Sequence, residues 1–367
     1  MRYQFHPARV QEIRWESPDA YSIFLEKPEP ELFTYHPGQY LTLRLSIDGV
    51  EHRRAYSMSS SPTLDSFLQI TIKRVPGGLV SNYLADHLQV DQTIDVMPPM
   101  GNFRVETDIS KSRHYILIGA GSGITPLMSI LRSTLAEEPS SKVSLWYGNR
   151  QEEQIIFAEE LQELGKRYGP RLTVVHQLSQ ASDTWEGYRG RLDMERVYQL
   201  ILELFMVDEH RKQYFICGPQ AMMDAAEAAL DKHAVNPPDV HREYYTAPLP
   251  SQEELEAAEM AETQAPEEVA EAVYEPQEVK IRLNGIERQL TVESTETILD
   301  AAIREGMDPP YACQAGICTA CRAYLVQGSV SMEESSGLSE QELEEGYILS
   351  CQAHPLEADV ILDFDRA

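Results

Sequence analysis

Positive charge is scarce in this chain of 367 residues: 31 Lys and Arg stand against 59 Asp and Glu, a formal net charge of −28. Such a balance repels phosphate, which argues against nucleic acid and anionic membrane surfaces as partners. Long apolar runs are missing as well. One uncharged stretch, "YILIGAGSGITPLMSIL" (Tyr115 to Leu131), is short for a membrane span and is broken by glycines and a proline. It reads as a buried strand, a turn and a helix start. The amino-terminal segment "MRYQFHPARVQEIRW" has no apolar signal core, so the expectation is a soluble protein of the reducing cytoplasm. Cysteine is rare too, with five in the whole chain.

Four of those five are grouped. Cys313, Cys318 and Cys321 stand in "YACQAGICTACRAYL", and Cys351 follows in "ILSCQAHP". Structural disulfides are uncommon in a reducing compartment, and structural zinc sites usually pair their cysteines as C-x2-C twice. The pattern here is C-x4-C-x2-C with one distant partner, the spacing of plant-type [2Fe–2S] ferredoxins. The small residues between the thiols let backbone N–H groups turn toward sulfur, and Gly316 supplies the freedom a tight wrap needs. All four cysteines are therefore expected to be iron ligands.

The rest of the chain divides by pattern. Residues 1–108 hold short β-rich runs such as "QYLTLRLS" and "FLQITIKRV", the mark of an antiparallel barrel. Residues 109–248 alternate strand and helix, which implies a parallel sheet. Residues 279–367 read as a compact mixed sheet around the cysteine loop. Between them, residues 249–278 form an acidic linker: "SQEELEAAEMAETQAPEEVAEAVYEPQE" has ten glutamates and no Lys or Arg. The last region alone carries 6 basic and 16 acidic side chains, a net of −10.

Two motifs suggest a flavin. In "RRAYSMSS" (53–60), Arg54, Tyr56 and Ser57 are expected on one face of a strand, where an Arg fork suits a pyrophosphate and a flat ring can stack on a flavin. In "GGLVSNYL" (77–84), two glycines precede Ser81 at a helix start, a geometry that binds phosphate through free N–H groups. Farther on, "GAGSGITP" (119–126) follows an apolar strand and opens a helix, as a dinucleotide turn does. "SLWYGNR" ends in Asn149 and Arg150 with no carboxylate at the point where an NAD-selective site places one. Arg150, with Arg189 or Arg191, could meet a 2′-phosphate, or could simply cap a neighbouring helix.

Together with "CGPQAMM" (217–223), these strings resemble the ferredoxin–NADP reductase superfamily, here fused to a carboxy-terminal plant-type ferredoxin. That arrangement is similar to the reductase components of bacterial multicomponent oxygenases. The tail "GYILSCQAHPLEADVILDFD" resembles the phenylacetyl-CoA epoxidase branch of that family, against which the acidic stretch looks like an insertion or a divergence. The resemblance implies a multidomain protein: an FAD-binding barrel, an NAD(P)-binding α/β domain and a β-grasp [2Fe–2S] domain. It assigns Arg54, Tyr56, Ser57 and the strand Ile70, Thr71 and Lys73 to FAD, and Gly78 and Ser81 to its phosphates. It places Gly119, Gly121, Gly123, Thr125 and Pro126 under the dinucleotide and Cys217 near the nicotinamide. Tyr245 (or Tyr244) would shield the flavin; Tyr56, Ser57 and Cys217 would serve catalysis.

The implied activity is that of an oxidoreductase passing electrons from NADPH (or NADH) through FAD and the cluster to an oxygenase component. The runner-up readings are the reductase of a steroid or aromatic-ring hydroxylase, and a redox-sensing iron–sulfur module. Histidines such as His36, His87, His114 and His176 are expected in scaffold or surface roles, and "EGYRGR" as a solvated loop.

Overall fold

The computed structural model describes residues 3–207, 209–245 and 274–366. Most of the expected acidic linker lies outside the described residues. Residues 4–243 form one compact unit, and the region carrying the four cysteines belongs to a second. Among the described residues no helix is long and apolar enough to cross a membrane.

The first unit begins with strands β1 (His6–Ser17), β2 (Ala20–Glu26), β3 (Tyr40–Ile47), β4 (Val50–Ser57), β5 (Phe67–Lys73) and β6 (Thr93–Val96). They pair in the order β4-β3-β6-β1-β2-β5, all antiparallel, and a bridge from Met58 to Ile70 joins the two ends into a barrel. Local chemistry sets the register. Between Ile47 and Val50 the Asp48–Gly49 turn has φ of 54° and 80°, the left-handed pair that tightens a two-residue hairpin. Alternate residues of β2 and β5 (Tyr21, Ile23, Leu25, Leu68, Ile70, Ile72) point into the barrel core. Helix α1 (Leu79–His87) lies between β5 and β6 in the chain.

The α/β half follows with β7 (Arg113–Ala120), α2 (Ile124–Glu137), β8 (Lys142–Asn149), α3 (Ala158–Tyr168), β9 (Leu172–Leu178) and β10 (Tyr188–Arg189). It closes with α4 (Met194–Val207), β11 (Arg211–Cys217), α5 (Gln220–Lys232) and β12 (Val240–Glu243). All six strands are parallel in the order β10-β9-β8-β7-β11-β12. The strand order therefore reverses between β7 and β11, and a crevice opens at their carboxyl ends, where ligands of such sheets bind. "EGYRGR" is not a plain loop: Tyr188 and Arg189 form the edge strand β10, pairing with Gln177 and Leu178.

Barrel and α/β sheet are locked together through α2. Arg132 grips Asp65 with both arms of its guanidinium, at 2.8 and 3.0 Å, while Ser129 Oγ donates to the carbonyl of Ser60 at 2.6 Å. Ala20, Phe103 and Val105 add to the core under the parallel sheet.

The second unit has β13 (Gln277–Leu283), β14 (Ile286–Val292), α6 (Ile298–Arg304), β15 (Arg322–Gln327), β16 (Val330–Met332), α7 (Glu340–Glu344), β17 (Tyr347–Leu349), β18 (Ala353–Pro355) and β19 (Val360–Asp363). The main sheet runs β14-β13-β19-β15-β17, with β13 and β19 parallel, the mixed pattern of a β-grasp. Asn284–Gly285 repeats the left-handed hairpin turn, at φ 53° and 74°. Thr297 caps α6 reciprocally with Asp300, which sets where the helix starts. The long segment between α6 and β15 is left free of regular structure, and three of the cysteines sit there.

Candidate functional site

The cysteine loop is built by backbone geometry. Gln314, Gly316 and Thr319 all have positive φ, and the chain curls so that its N–H groups face sulfur. The N–H of Ala315 donates to Cys313 Sγ at 3.3 Å, and that of Cys313 donates to Cys318 Sγ at 3.4 Å. Gly316 is required twice: a Cβ there would lie 2.8 Å from the carbonyl oxygen of Glu334, and its φ is 72°. Cys351 arrives from beyond β17, and the neighbouring Ser350 is tied to the carbonyl of Cys321 by its N–H at 3.1 Å and its hydroxyl at 2.9 Å.

The thiols stand as two pairs. Cys313 is pulled down to about 5 by the hydrogen bond from the Cys318 thiol and then by the N–H groups of Ala315, Ile317 and Cys318. Cys351 is likewise lowered by Cys321 and by the N–H of Gly316. The paired thiolate and burial push Cys318 and Cys321 the other way. Among the described residues no three His, Cys, Asp or Glu side chains converge as they would around one metal ion. Two thiol pairs, each with an N–H cradle, are instead the donor set that suits a two-iron cluster with four thiolates. The residues fit the group.

In the barrel, Arg54 and Tyr56 share one face of β4, but Ser57 does not. Successive side chains of a strand point to opposite sides, and Ser57 is buried while Arg54 is exposed. The single face expected for all three is thus corrected to two residues plus a neighbour turned under. Burial pushes the Tyr56 phenol up to about 12, with Arg54 acting in the opposite sense. Ile70 lies in the barrel core, and the Thr71 hydroxyl is taken by Ser22 at 2.8 Å and Ser59 at 2.9 Å. What these two can turn toward a ligand is therefore their backbone. Gly78 stands before α1, which has no capping side chain and no acid in its first turn, so its N-terminal N–H groups suit a phosphate. Ser81 Oγ accepts from the N–H of Val75 at 3.1 Å and so holds this turn.

At the crevice of the parallel sheet, Gly119 lies near the end of β7, and the short 3-10 turn Gly121–Gly123 leads into α2. Gly121 has φ 55°, and a Cβ on Gly123 would lie 2.0 Å from the carbonyl oxygen of Cys217. No side chain caps α2 and no acid stands in its first turn. The Thr125 hydroxyl donates to the carbonyl of Ser122 at 3.0 Å, and Pro126 is buried in the same turn. Cys217 is fully buried at the end of β11, in register with Gly119 on one side and Glu243 on the other.

Glu243 was not among the residues singled out in the sequence. Burial alone pushes its carboxyl up to about 8. Only the register of β12 against β11 brings it beside Cys217, and no local motif announces that pairing.

The three arginines considered for a 2′-phosphate separate. Arg189 donates to the carbonyls of Ala181, Ser182, Asp183 and Trp185 and is committed to its own loop. Arg150, just past β8, and Arg191 are exposed. The side chain of Glu152, the nearest acid after β8, accepts from the N–H and hydroxyl of Ser182. Tyr245 follows β12 and is 38% exposed.

Comparison with known proteins agrees with this architecture. Residues 7–105 match the oxidoreductase FAD-binding domain family, residues 117–228 the oxidoreductase NAD-binding domain, and residues 281–356 the 2Fe-2S iron–sulfur cluster binding domain. The chain is 36% identical to a subunit of the 1,2-phenylacetyl-CoA epoxidase of Escherichia coli (strain K12), over 98% of both chains. The ferredoxin reductase component of 3-ketosteroid-9-alpha-monooxygenase from Rhodococcus rhodochrous is also 36% identical, over 95% of this chain and 94% of its own. Among solved structures, phthalate dioxygenase reductase superposes over 98% of both chains with a TM-score of 0.58 at 20% identity, a likeness of fold. The chain belongs to the family of NAD(P)H-dependent oxidoreductases, with FAD, pyridine-nucleotide and [2Fe–2S] domains, that are the reductase components of oxygenase systems.

Proposed function

We propose that this chain is the reductase of a phenylacetyl-CoA epoxidase and draws its electrons from NADPH. The observation that carries the reading is the match to the Escherichia coli epoxidase subunit, which spans 98% of both chains and takes in all three domains. When bound, a flavin accepts an electron pair as hydride from the nicotinamide, and an iron–sulfur cluster takes electrons singly.

The chain's own residues would hold and order these groups. The N–H groups of the Gly121–Gly123 turn and of α2 receive the dinucleotide's phosphates, and the missing Cβ atoms let the backbone approach them. Cys217, fully buried at the end of β11, would back the crevice as a small apolar residue, and beside it burial raises the Glu243 carboxyl to about 8. Arg54 and the N–H groups of α1 serve the flavin's phosphates, and Tyr56 presents an un-ionised ring on the same face as Arg54. The backbone of Ile70 and Thr71 would border the ring, with Ser57, at the end of β4, beside it. Cys313, Cys318, Cys321 and Cys351 would hold the irons through their thiolates.

NADPH is favoured because Arg150 stands exposed at the end of β8 with no carboxylate at the position that binds a free ribose diol. Arg150→Ala should raise KM for NADPH by roughly ten- to hundredfold, the worth of a charge-assisted hydrogen bond, with little change for NADH. Steady-state kinetics with both coenzymes checks this, and equal effects on the two would leave Arg150 a structural role.

The steroid monooxygenase reductase, equally 36% identical, supports a second reading as a steroid-hydroxylase reductase. Reconstitution separates them. Purified protein and NADPH are mixed with the oxygenase component of a phenylacetyl-CoA epoxidase, or with that of a ketosteroid hydroxylase. Turnover is followed as substrate loss. Support of the second alone would overturn the first reading.

A further inference from the structure

Opposite the crevice, at the amino ends of the parallel strands, the first unit has a hollow of about 350 Å³. Its walls come from distant parts of the chain. Arg113 opens β7, Gln213 and His241 stand near the starts of β11 and β12, and the connector between β6 and β7 adds Asn102, Arg104 and Lys111. Strand β7 runs eight residues from Arg113 to Ala120, so the hollow lies roughly 20 Å along the sheet from the glycine turn.

Three cations share this hollow in a chain of net charge −28, and they are poorly neutralised. Among the described residues neither Lys111 nor Arg113 has a carboxylate within ion-pair reach. Lys111 donates to the carbonyl of Glu106, and Arg113 donates to the amide oxygen of Gln213 at 3.0 Å. Both acceptors are neutral: they fix the two charges without cancelling them, and each cation keeps further N–H donors. Arg104 meets Glu106 at 3.7 Å, a loose contact between side chains 43% and 68% exposed. Other acids nearby are engaged elsewhere, Asp239 with Arg211 at 2.7 Å, and Asp108 with the N–H and hydroxyl of Ser110 at 2.8 and 2.7 Å. Burial holds His241 below its usual range, with Arg113 adding to this and Asp239 opposing it. Its ring is stacked on Phe215 at 4.4 Å, which fixes its orientation, and a neutral imidazole still donates one N–H.

We propose that this hollow binds a small phosphate monoester, with the phosphate on Lys111, Arg113 and Arg104 and the organic part against His241 and Asn102. Guanidinium forks and an ammonium are the groups that match phosphate oxygens, and a dianion relieves the repulsion among them. The volume stands at the lower end of ligand sites and exceeds what a bare phosphate fills. A bound ester would tie the connector to the starts of β7 and β12, and so stabilise the first unit by mass action. The proposal stands apart from the functional reading, since none of these residues touches the crevice.

The test titrates the full chain, loaded with flavin and cluster, with glycerol 3-phosphate and with inorganic phosphate. Affinity is read by calorimetry at about 150 mM ionic strength, where non-specific charge effects are screened. Glycerol 3-phosphate should bind at one saturable site, more tightly than inorganic phosphate, and should raise the unfolding temperature. Lys111→Met should weaken it by about tenfold, while Lys111→Arg, which keeps the charge, should bind within about threefold of wild type. Saturating NADP+ or NAD+ should leave the ester bound, because the two sites lie at opposite ends of the sheet. The proposal is overturned if wild type shows no saturable binding, if Lys111→Met binds as wild type does, or if coenzyme displaces the ester. Inorganic phosphate binding as tightly as the ester would overturn it too, since nothing would then occupy the rest of the hollow.

Discussion

Burial at the carboxyl end of β12 leaves the Glu243 carboxyl protonated up to about 8, against an ordinary value of 4.5, with burial as the sole cause. A raised carboxyl of this kind opposes folding once it must ionise. The cost is absent below the unfolded value, grows as pH rises, and is complete above the folded value. Glu243→Gln should therefore match wild type near pH 4.5 and become the more stable protein toward pH 8. The gap should widen by about 1.4 kcal/mol per pH unit at most, read from urea unfolding across that range. At the cluster, Cys318→Ser should abolish the iron–sulfur absorption while flavin stays bound and is still reduced by NAD(P)H. A variant with the full cluster spectrum would show that Cys318 is not a ligand.

Helix α2 carries two duties. Its amino end faces the crevice, and its middle fastens the barrel to the α/β sheet through Arg132, Ser129 and Ser133. Asp65 and Arg132 are both largely buried, at 8% and 14% side-chain exposure, and Glu160 also reaches Arg132 at 3.2 Å. Asp65→Ala leaves Arg132 with Glu160 as its remaining acid and takes the acceptor from the Ser61 N–H, and should lower the stability of the first unit by about 1–3 kcal/mol in denaturant unfolding. The cysteine loop shows the same economy in another form. Its shape comes from three positive-φ residues and a Gly316–Gly337 contact in which the N–H of Gly337 donates to the carbonyl of Gly316 at 2.9 Å.

Across the whole chain, charge is the property that acts at long range. The net charge of −28 includes −10 on residues 279–367, the region that contains the cluster ligands. An oxygenase that receives electrons there should offer a basic surface, and salt should screen the encounter. The second-order rate of electron delivery to the oxygenase component should then fall as ionic strength rises from about 10 to 200 mM, while hydride transfer from NAD(P)H changes much less. Stopped-flow measurements with the reconstituted oxygenase would detect this. A salt-independent delivery rate would show that the docking surface is not electrostatic.

Much of this was legible along the chain because it depends on neighbours in sequence. The spacing of Cys313, Cys318 and Cys321, the glycines of the 119–126 turn, and the change from β-rich to alternating segments are all local patterns. Local sterics and hydrogen bonding set the geometry they encode. Most of what was missed depended on strand pairing and packing. Ser57 is the exception: the two-residue period of a strand already sets it opposite Arg54 and Tyr56, so the expected single face misapplied a local rule. Arg189 and Arg191 looked alike until the 181–185 carbonyls claimed one of them. Glu243 acquires its raised carboxyl, and Lys73 its partner Asp19, only when segments more than 20 residues apart in sequence are packed side by side. Burial and long-range pairing are properties of the assembled sheet, and no short stretch of residues contains them.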